Sequence, residues 1–282
     1  YFGENMPVSA MAAGADLASV SMHKSGGSLT QSIFLLCGPS MNAEHVRQII
    51  NWTQTTSGSY LLMVRLDISR KNLALHGKEI FRKVVDLTTY AREEINAIGD
   101  YYAYGSELIN GDTVYDFDTT KLAVNTLDVG LAGIEVYDIL RDFYDIQTEF
   151  GDLGNLLAYV SVGDRERDLE RLVAALADIR RRYKRDKATL MRQEYISPQV
   201  VAGPQGFYAD KKAMPLEESV GRICAEFVMC YPPGIPILAP GERITRDILD
   251  YLHAKEKNCM LLGTEDPEVN NLQVIRGVVS PE

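Results

Sequence analysis

Cysteine tells little about this chain. Only Cys37, Cys224, Cys230 and Cys259 occur, with no C-x-x-C pair among them. A disulfide framework and a structural zinc site are therefore not expected, and buried reduced thiols are. Histidine is also scarce, and His45, His76 and His253 stand at no ligand-like spacing, so they read as structural or surface residues and no metal site is expected. No apolar run approaches the roughly 20 residues that span a bilayer. No basic stretch followed by an apolar one marks a leader. A membrane span is not expected, and the reading is cytoplasmic. Positive charge is in deficit, the formal net charge being −10, which disfavours non-specific nucleic-acid binding. The one strongly basic run, Arg180 to Arg185, ends a charged helical pattern, where cations suit the helix dipole. Internal repeats and low-complexity segments are absent.

What remains is the composition of a folded α/β or α+β protein, 46% hydrophobic and 24% charged over 282 residues. Pro7-Val8-Ser9 reads as a helix entry, and Ala10 to Ala13 as a short turn of helix ended by Gly14. Leu17–Ser21 and Ile33–Cys37 read as short buried strands, the second closed by Gly38-Pro39. Helical spacing covers about 42–53, with Val46, Ile49 and Ile50 on one face, and 59–75, stopped at Gly77. It resumes over 78–98 and ends at Gly99. The tyrosine-rich, turn-rich segment from Tyr101 suggests a boundary, dividing the chain into residues 1–99 and 100–282. Tyr101, Tyr102 and Tyr104 read as packing between these domains, with an active-site mouth as the alternative. Beyond it strands (121–127, 156–162, 222–230, 272–279) alternate with helices (134–144, 164–187, and one capped by Thr245 and running to about Lys257). Residues 198–215 read as irregular, and Tyr231 to Pro236 as a rigid turn.

Chemistry concentrates in Ser19-Val20-Ser21-Met22-His23-Lys24-Ser25-Gly26-Gly27-Ser28-Leu29-Thr30-Gln31. An apolar strand runs into a His-Lys pair, and a Gly-Gly break follows. A lysine there can form a Schiff base with an aldehyde, while small and hydroxyl residues with their backbone N–H groups can hold a phosphate. For Thr30 and Gln31 two readings stand level: a place near the phosphate, in the same or a neighbouring subunit, and a simple strand start or helix cap. Glu226 lies on a mostly apolar strand. A carboxylate there could receive a guanidinium or ammonium group, although a structural ion pair or an exposed strand face is the commoner fate.

The same stretch resembles the pyridoxal-phosphate attachment motif of the ornithine/lysine/arginine decarboxylases, the bacterial group with the aminotransferase-like fold. Ser19, Ser21, His23, Lys24, Gly27, Ser28, Thr30 and Gln31 all fit it. Thr56-Ser57-Gly58-Ser59-Tyr60 and Asp118-Thr119-Thr120-Lys121-Leu122 resemble further motifs of that family, each without its proline. The stretch from Glu226 to Glu242, with its Tyr-Pro-Pro-Gly-Ile-Pro, is similar to the C-terminal domain of the shorter biosynthetic arginine decarboxylases.

The resemblance implies the C-terminal part of an aminotransferase-like (fold type I) large domain followed by a smaller α+β domain. It implies pyridoxal 5'-phosphate as cofactor, with Lys24 as its covalent attachment point. Ser21 and His23 would contact the phosphate, His23 also moving protons, and Thr30 or Gln31 would lie close by. The implied reaction is decarboxylation of a basic amino acid, arginine to agmatine first, lysine or ornithine as alternatives, feeding polyamine synthesis. Glu226 is the candidate for holding the substrate's cationic end. A homodimer or larger oligomer is implied. The family's Asp-Glu-Ala-His-Gly segment, whose aspartate meets the pyridine nitrogen, does not precede the motif here. The expectation is therefore a piece of a split, cleaved or truncated enzyme that needs an N-terminal portion. A catalytically silent regulatory or assembly subunit of the same fold is the rival reading.

Overall fold

The structure, a computed structural model, describes residues 3, 6–187, 198–203, 205–231, 234–255 and 260–277. Two compact units emerge, Tyr1–Ala188 and Thr189–Glu282. The chain thus divides about ninety residues later than the turn-rich segment suggests. The reason lies in the helix over Tyr60–Ile98, which stops at the expected boundary but packs Val84, Ala91 and Ile95 of its C-terminal half into the core formed with the elements beyond it.

Unit 1 opens with β1 (Leu17–Ser21), the four-residue helix α1 (Met22–Ser25) and β2 (Ile33–Cys37). The strands pair antiparallel from Leu17–Cys37 to Ser21–Ile33. They are not fully buried: Ile33, Leu35 and Leu36 are exposed. Only one face of this two-stranded ribbon packs, placing Val20 and Phe34 against Met22, Leu73 and Phe81. The next helix, α2 (Ala43–Thr53), is capped by the Asn42 side chain, which accepts the Glu44 and His45 N–H groups. It buries none of its residues, Val46, Ile49 and Ile50 included.

Helix α3 (Tyr60–Ile98) runs unbroken through Gly77, where a stop was expected. A mid-helix glycine costs about 1 kcal/mol, and packing overrides that here. The buried positions Ser69, Leu73, Gly77, Phe81, Val84, Thr88, Ala91 and Ile95 form one stripe at helical spacing, so the helix gains more by continuing than by stopping. Gly99, at φ +80°, ends it as expected.

Four strands then build one antiparallel sheet, β3 (Tyr102–Ala103), β4 (Lys121–Asn125), β5 (Phe150–Gly151) and β6 (Asn155–Tyr159), in the order β3-β4-β6-β5. Helices α4 (Gly133–Tyr144) and α5 (Glu166–Tyr183) complete the unit. Every pairing among the described strands is antiparallel. Alternation in β4 and β6 sends Leu122, Val124, Leu156 and Ala158 to the core formed with α3, α4 and α5. Lys121, Ala123, Asn155 and Tyr159, at the alternate positions, occupy the opposite face. Tyr101 is buried in this core and donates its hydroxyl to the Leu176 carbonyl at 3.1 Å, and Tyr102 meets Tyr104 edge to face. These tyrosines pack within unit 1. The basic run ending α5 is ion-paired, Arg181 and Arg182 with Asp178, Arg180 and Lys184 with Asp100.

Unit 2 contains α6 (Gln205–Tyr208), β7 (Lys211–Pro215), β8 (Val228–Tyr231), β9 (Ile235–Leu238), α7 (Arg246–Lys255), β10 (Met260–Leu262) and β11 (Asn271–Ile275). β7 pairs with β11, and β8 lies between β10 and β9. Strand β7 falls in a stretch that reads as irregular, because its Lys-Lys-Ala-Met-Pro carries almost no strand signal. Residues 222–227, expected as strand, are held by single bridges, Ile223 to Arg243 and Cys224 to Val274. The core gathers Cys224, Val228, Leu238, Ile244, Ile248, Leu252, Val269, Leu272 and Val274. Pro232, Pro233, Cys259 and the end of the last expected strand lie outside the described residues.

Candidate active site around Lys24

The turn that presents Lys24 is built locally. The Met22 carbonyl accepts the N–H groups of Gly26 (3.0 Å) and Ser28 (3.3 Å), and the Met22 N–H donates back to the Ser32 carbonyl at 3.0 Å. Ser69 of α3 donates its hydroxyl to the Gly26 carbonyl, tying the turn to the long helix. Gly27 adopts φ +79°, and a Cβ there would come within 2.9 Å of Val162. The Gly-Gly break thus permits both the positive φ and the close approach. No helix starts at Ser28, which leaves Thr30 and Gln31 as exposed loop residues just before β2, Gln31 at φ +62°.

The side chains diverge from this turn. His23 is half-buried, with Nδ1 3.2 Å from the Ser32 carbonyl oxygen. A carbonyl can only accept, so Nδ1 carries the proton in that contact and Nε2 keeps its lone pair in the neutral ring. Ser21 is exposed at the end of β1. The Lys24 ammonium donates to Glu149 Oε1 at 2.6 Å and lies 5.2 Å from the centre of the Tyr159 ring. The pair is partly exposed, 41% for the Lys24 side chain and 30% for Glu149.

Lys121 converges on the same ring at 4.7 Å. Its ammonium also reaches the Ser25 hydroxyl at 3.4 Å and pairs with Asp118 at 3.1 Å. Asp118 in turn accepts the Thr120 N–H and hydroxyl, a local turn that sets the start of β4. The Asp-Thr-Thr-Lys-Leu motif and the His-Lys motif, nearly a hundred residues apart, thus meet over Tyr159. Sequence reading missed Glu149 and Tyr159. Nothing local marks either one, since Glu149 gains meaning only from a partner 125 positions away.

Glu226 stands apart in unit 2. It is 5% exposed, and both its oxygens are engaged: Oε1 accepts the Gln273 N–H at 2.7 Å, and Oε2 the Glu265 N–H at 2.8 Å. That is a structural carboxylate capping two backbone donors in the C-terminal core, and the alternative reading as a receiver of substrate finds no open oxygen edge here.

The donor set around Lys24 fits a phosphorylated aldehyde cofactor. A primary amine and an exposed hydroxyl share one glycine turn, and the buried Ser28 and Ser32 hydroxyls of that turn have no hydrogen-bond partner. No group of three or more potential metal ligands occurs among the described residues, and no helix among them is long and apolar enough to cross a membrane.

Residues 1–124 match the Orn/Lys/Arg decarboxylase major domain and residues 189–264 match the Orn/Lys/Arg decarboxylase C-terminal domain. The chain belongs to the Orn/Lys/Arg decarboxylase family. Among its relatives are the arginine decarboxylase of Halalkalibacterium halodurans, 40% identical over 287 residues, and that of Bacillus anthracis, 40% identical over 282 residues. The matches take in 100% and 98% of this chain, but only 58% and 57% of those proteins. Of solved structures, the lysine decarboxylase LdcF of Francisella novicida superposes with a TM-score of 0.77 at 18% identity, over 92% of this chain and 49% of that one. That likeness establishes the mixed α/β fold.

Proposed function

We propose that these residues form the lysine-bearing part of a pyridoxal-phosphate-dependent decarboxylase acting on a basic amino acid, arginine first. The supporting observation is the Lys24–Glu149 pair on the glycine turn, in a chain whose relatives at 40% identity are named arginine decarboxylases. The cofactor, when bound, supplies the electron-accepting ring that carries the charge left by departing CO₂.

The protein's own share follows from the geometry. Lys24 is the covalent anchor. Attack on an aldehyde requires its amine to shed a proton, and Glu149 Oε1 at 2.6 Å is placed to accept one. Once Glu149 has passed that proton on to solvent, which its partial exposure allows, its carboxylate has lost the Lys24 ammonium as counter-charge and is free to pair with the guanidinium or ammonium of a basic substrate. His23, its Nδ1–H fixed on Ser32, offers Nε2 for proton transfer, and Ser21 offers a hydroxyl to the phosphate. Tyr159 and Lys121 wall the site from the sheet. The exposure of Thr30 and Gln31 on the following loop supports a role for one of them near the phosphate, in the same or a neighbouring subunit.

The test is borohydride trapping of added pyridoxal phosphate followed by peptide mapping, with CO₂ release measured on arginine, lysine and ornithine in turn. Label concentrated on Lys24 and lost in Lys24→Ala, with arginine the best substrate, supports the reading. Label scattered evenly over the lysines would sink it.

A further inference from the structure

Unit 2 carries a cavity of about 520 Å³ lined by Val200, Gly203, Phe207, Tyr208, Phe227 and the loop Ala239 to Glu242. Its walls are set by glycine contacts. A Cβ on Gly206 would come within 2.5 Å of the Gly241 nitrogen, and one on Gly241, at φ +92°, within 2.4 Å of the Gly203 carbonyl oxygen. The Gly241 carbonyl accepts the N–H groups of Val201 and Ala202, closing the ring. α6 is thereby pressed against the 239–242 loop, and its two aromatic residues line the same cavity as Glu242.

The chemistry of this lining is specific. Phe207 meets Tyr208 edge to face at 5.2 Å and lies 6.4 Å from Phe227, while Phe207 and Tyr208 remain 53% and 86% exposed. Aromatic faces left uncovered next to a carboxylate are suited to a cation. Glu242 is half-buried and uses Oε2 to accept the Ala239 N–H at 3.0 Å. Among the described residues no lysine, arginine or histidine pairs with it, and the neighbouring Arg243 turns to the Gly221 carbonyl instead. A half-buried carboxylate that no cation among the described residues pairs with, lining the same cavity as three aromatic rings, offers an entering cation a charge partner.

We propose that this cavity is a binding site for a small organic cation, a guanidinium or primary ammonium group on an apolar stem. The group would lie on the rings with its N–H donors toward Glu242 and its stem against Val200 and Pro240. The site uses neither Lys24 nor Glu149, so it stands independently of the proposed reaction.

The experiment is titration of the whole chain with n-butylguanidinium, followed by the amide resonances of Phe227, Ala239 and Gly241, with n-pentanol as the neutral analogue. Saturable shifts at those amides are expected. Glu242→Gln keeps an acceptor for Ala239 while removing the charge, and should weaken binding at least about five-fold. Phe207→Leu, at an exposed position, should weaken it about three-fold. Glu149→Gln, which removes the other candidate cation partner, should leave these shifts in place. Unchanged affinity in both cavity variants, equal binding of n-pentanol, or shifts confined to the Lys24 turn would each overturn the proposal.

Discussion

The two units are stabilised in different ways. Unit 1 rests on periodicity: the C-terminal half of the α3 stripe, one face of β4 and β6, and the apolar faces of α4 and α5 meet in one core, while Leu73 and Phe81 of the same stripe pack against the β1–β2 ribbon. Unit 2 has a smaller core and short strands, and it relies on side chains that serve its backbone. Glu226 caps two N–H groups at the centre, and Asp266 accepts from Glu268 and Asn271 to shape the turn before β11. The difference has a functional counterpart. The face of the unit 1 sheet turned away from the α3–α5 core can carry Lys121 and Tyr159 without disturbing the core behind it, whereas a polar change in the middle of unit 2 reaches its fold directly.

The contrast can be broken at several points. The largest effect is expected from Lys24→Ala, which should abolish cofactor attachment while leaving the thermal unfolding of unit 1 nearly unchanged, as checked by trapping and calorimetry on one sample. Gly133→Ala should damage unit 1 itself. A Cβ there would sit 1.9 Å from the Asn155 carbonyl oxygen, where α4 starts against β6. A loss of about 4 kcal/mol or more in denaturant unfolding is the expected outcome, and a loss under 1 kcal/mol would show that the helix can shift.

Glu226→Gln tests the other unit. One amide oxygen cannot replace two carboxylate oxygens, and the new NH₂ faces a backbone N–H. A loss of about 2–3 kcal/mol is expected, with Lys24 labelling unaffected. If labelling or substrate affinity changed while stability held, Glu226 would have to be returned to the site.

Acid sensitivity should separate the units more gently. Hydrogen bonds from Lys184 and Arg180 hold the Asp100 carboxyl below the usual aspartate range. Its contribution is therefore complete above the unfolded value of about 3.9 and is lost as pH falls through the lower folded value. Asp100→Asn should lower the melting temperature of unit 1 by a few degrees at neutral pH, and the gap from wild type should close in acid. Asparagine tolerates the residue's φ of +62°, so a gap that persists in acid would point to a backbone cause. The smallest contrast is chemical. Cys37 is exposed, whereas burial pushes the Cys224 thiol up to about 11, and that thiol donates to the Glu226 carbonyl. Alkylation at about pH 8 should mark Cys37 and spare Cys224 until unit 2 unfolds.

Much of this was legible in order along the chain. The His-Lys turn, the strands on either side of it, α2, α4, α5 and α7 all follow from spacing, caps and breaks, which are local properties. The errors share one cause. Gly77 looks like a stop because local propensity does not include the stripe of partners that rewards continuing through it. The β1–β2 ribbon reads as fully buried because an apolar run does not say how many of its faces are covered. Strand β7 is invisible because its partner β11, not its own residues, makes it a strand.

The candidate site divides in the same way. The sequence alone pointed to the candidate centre: a lysine after a histidine, between a strand and a glycine break, puts a primary amine in a small-residue turn, and the thirteen-residue pattern resembles that of one family. Only the tertiary structure decided its surroundings. Glu149 against Lys24, Lys121 and Tyr159 across the sheet face, and Glu226 withdrawn into the core of unit 2 are pairings over tens to more than a hundred residues. Such contacts arise from packing whole elements together, and that packing fixes positions which no local pattern encodes.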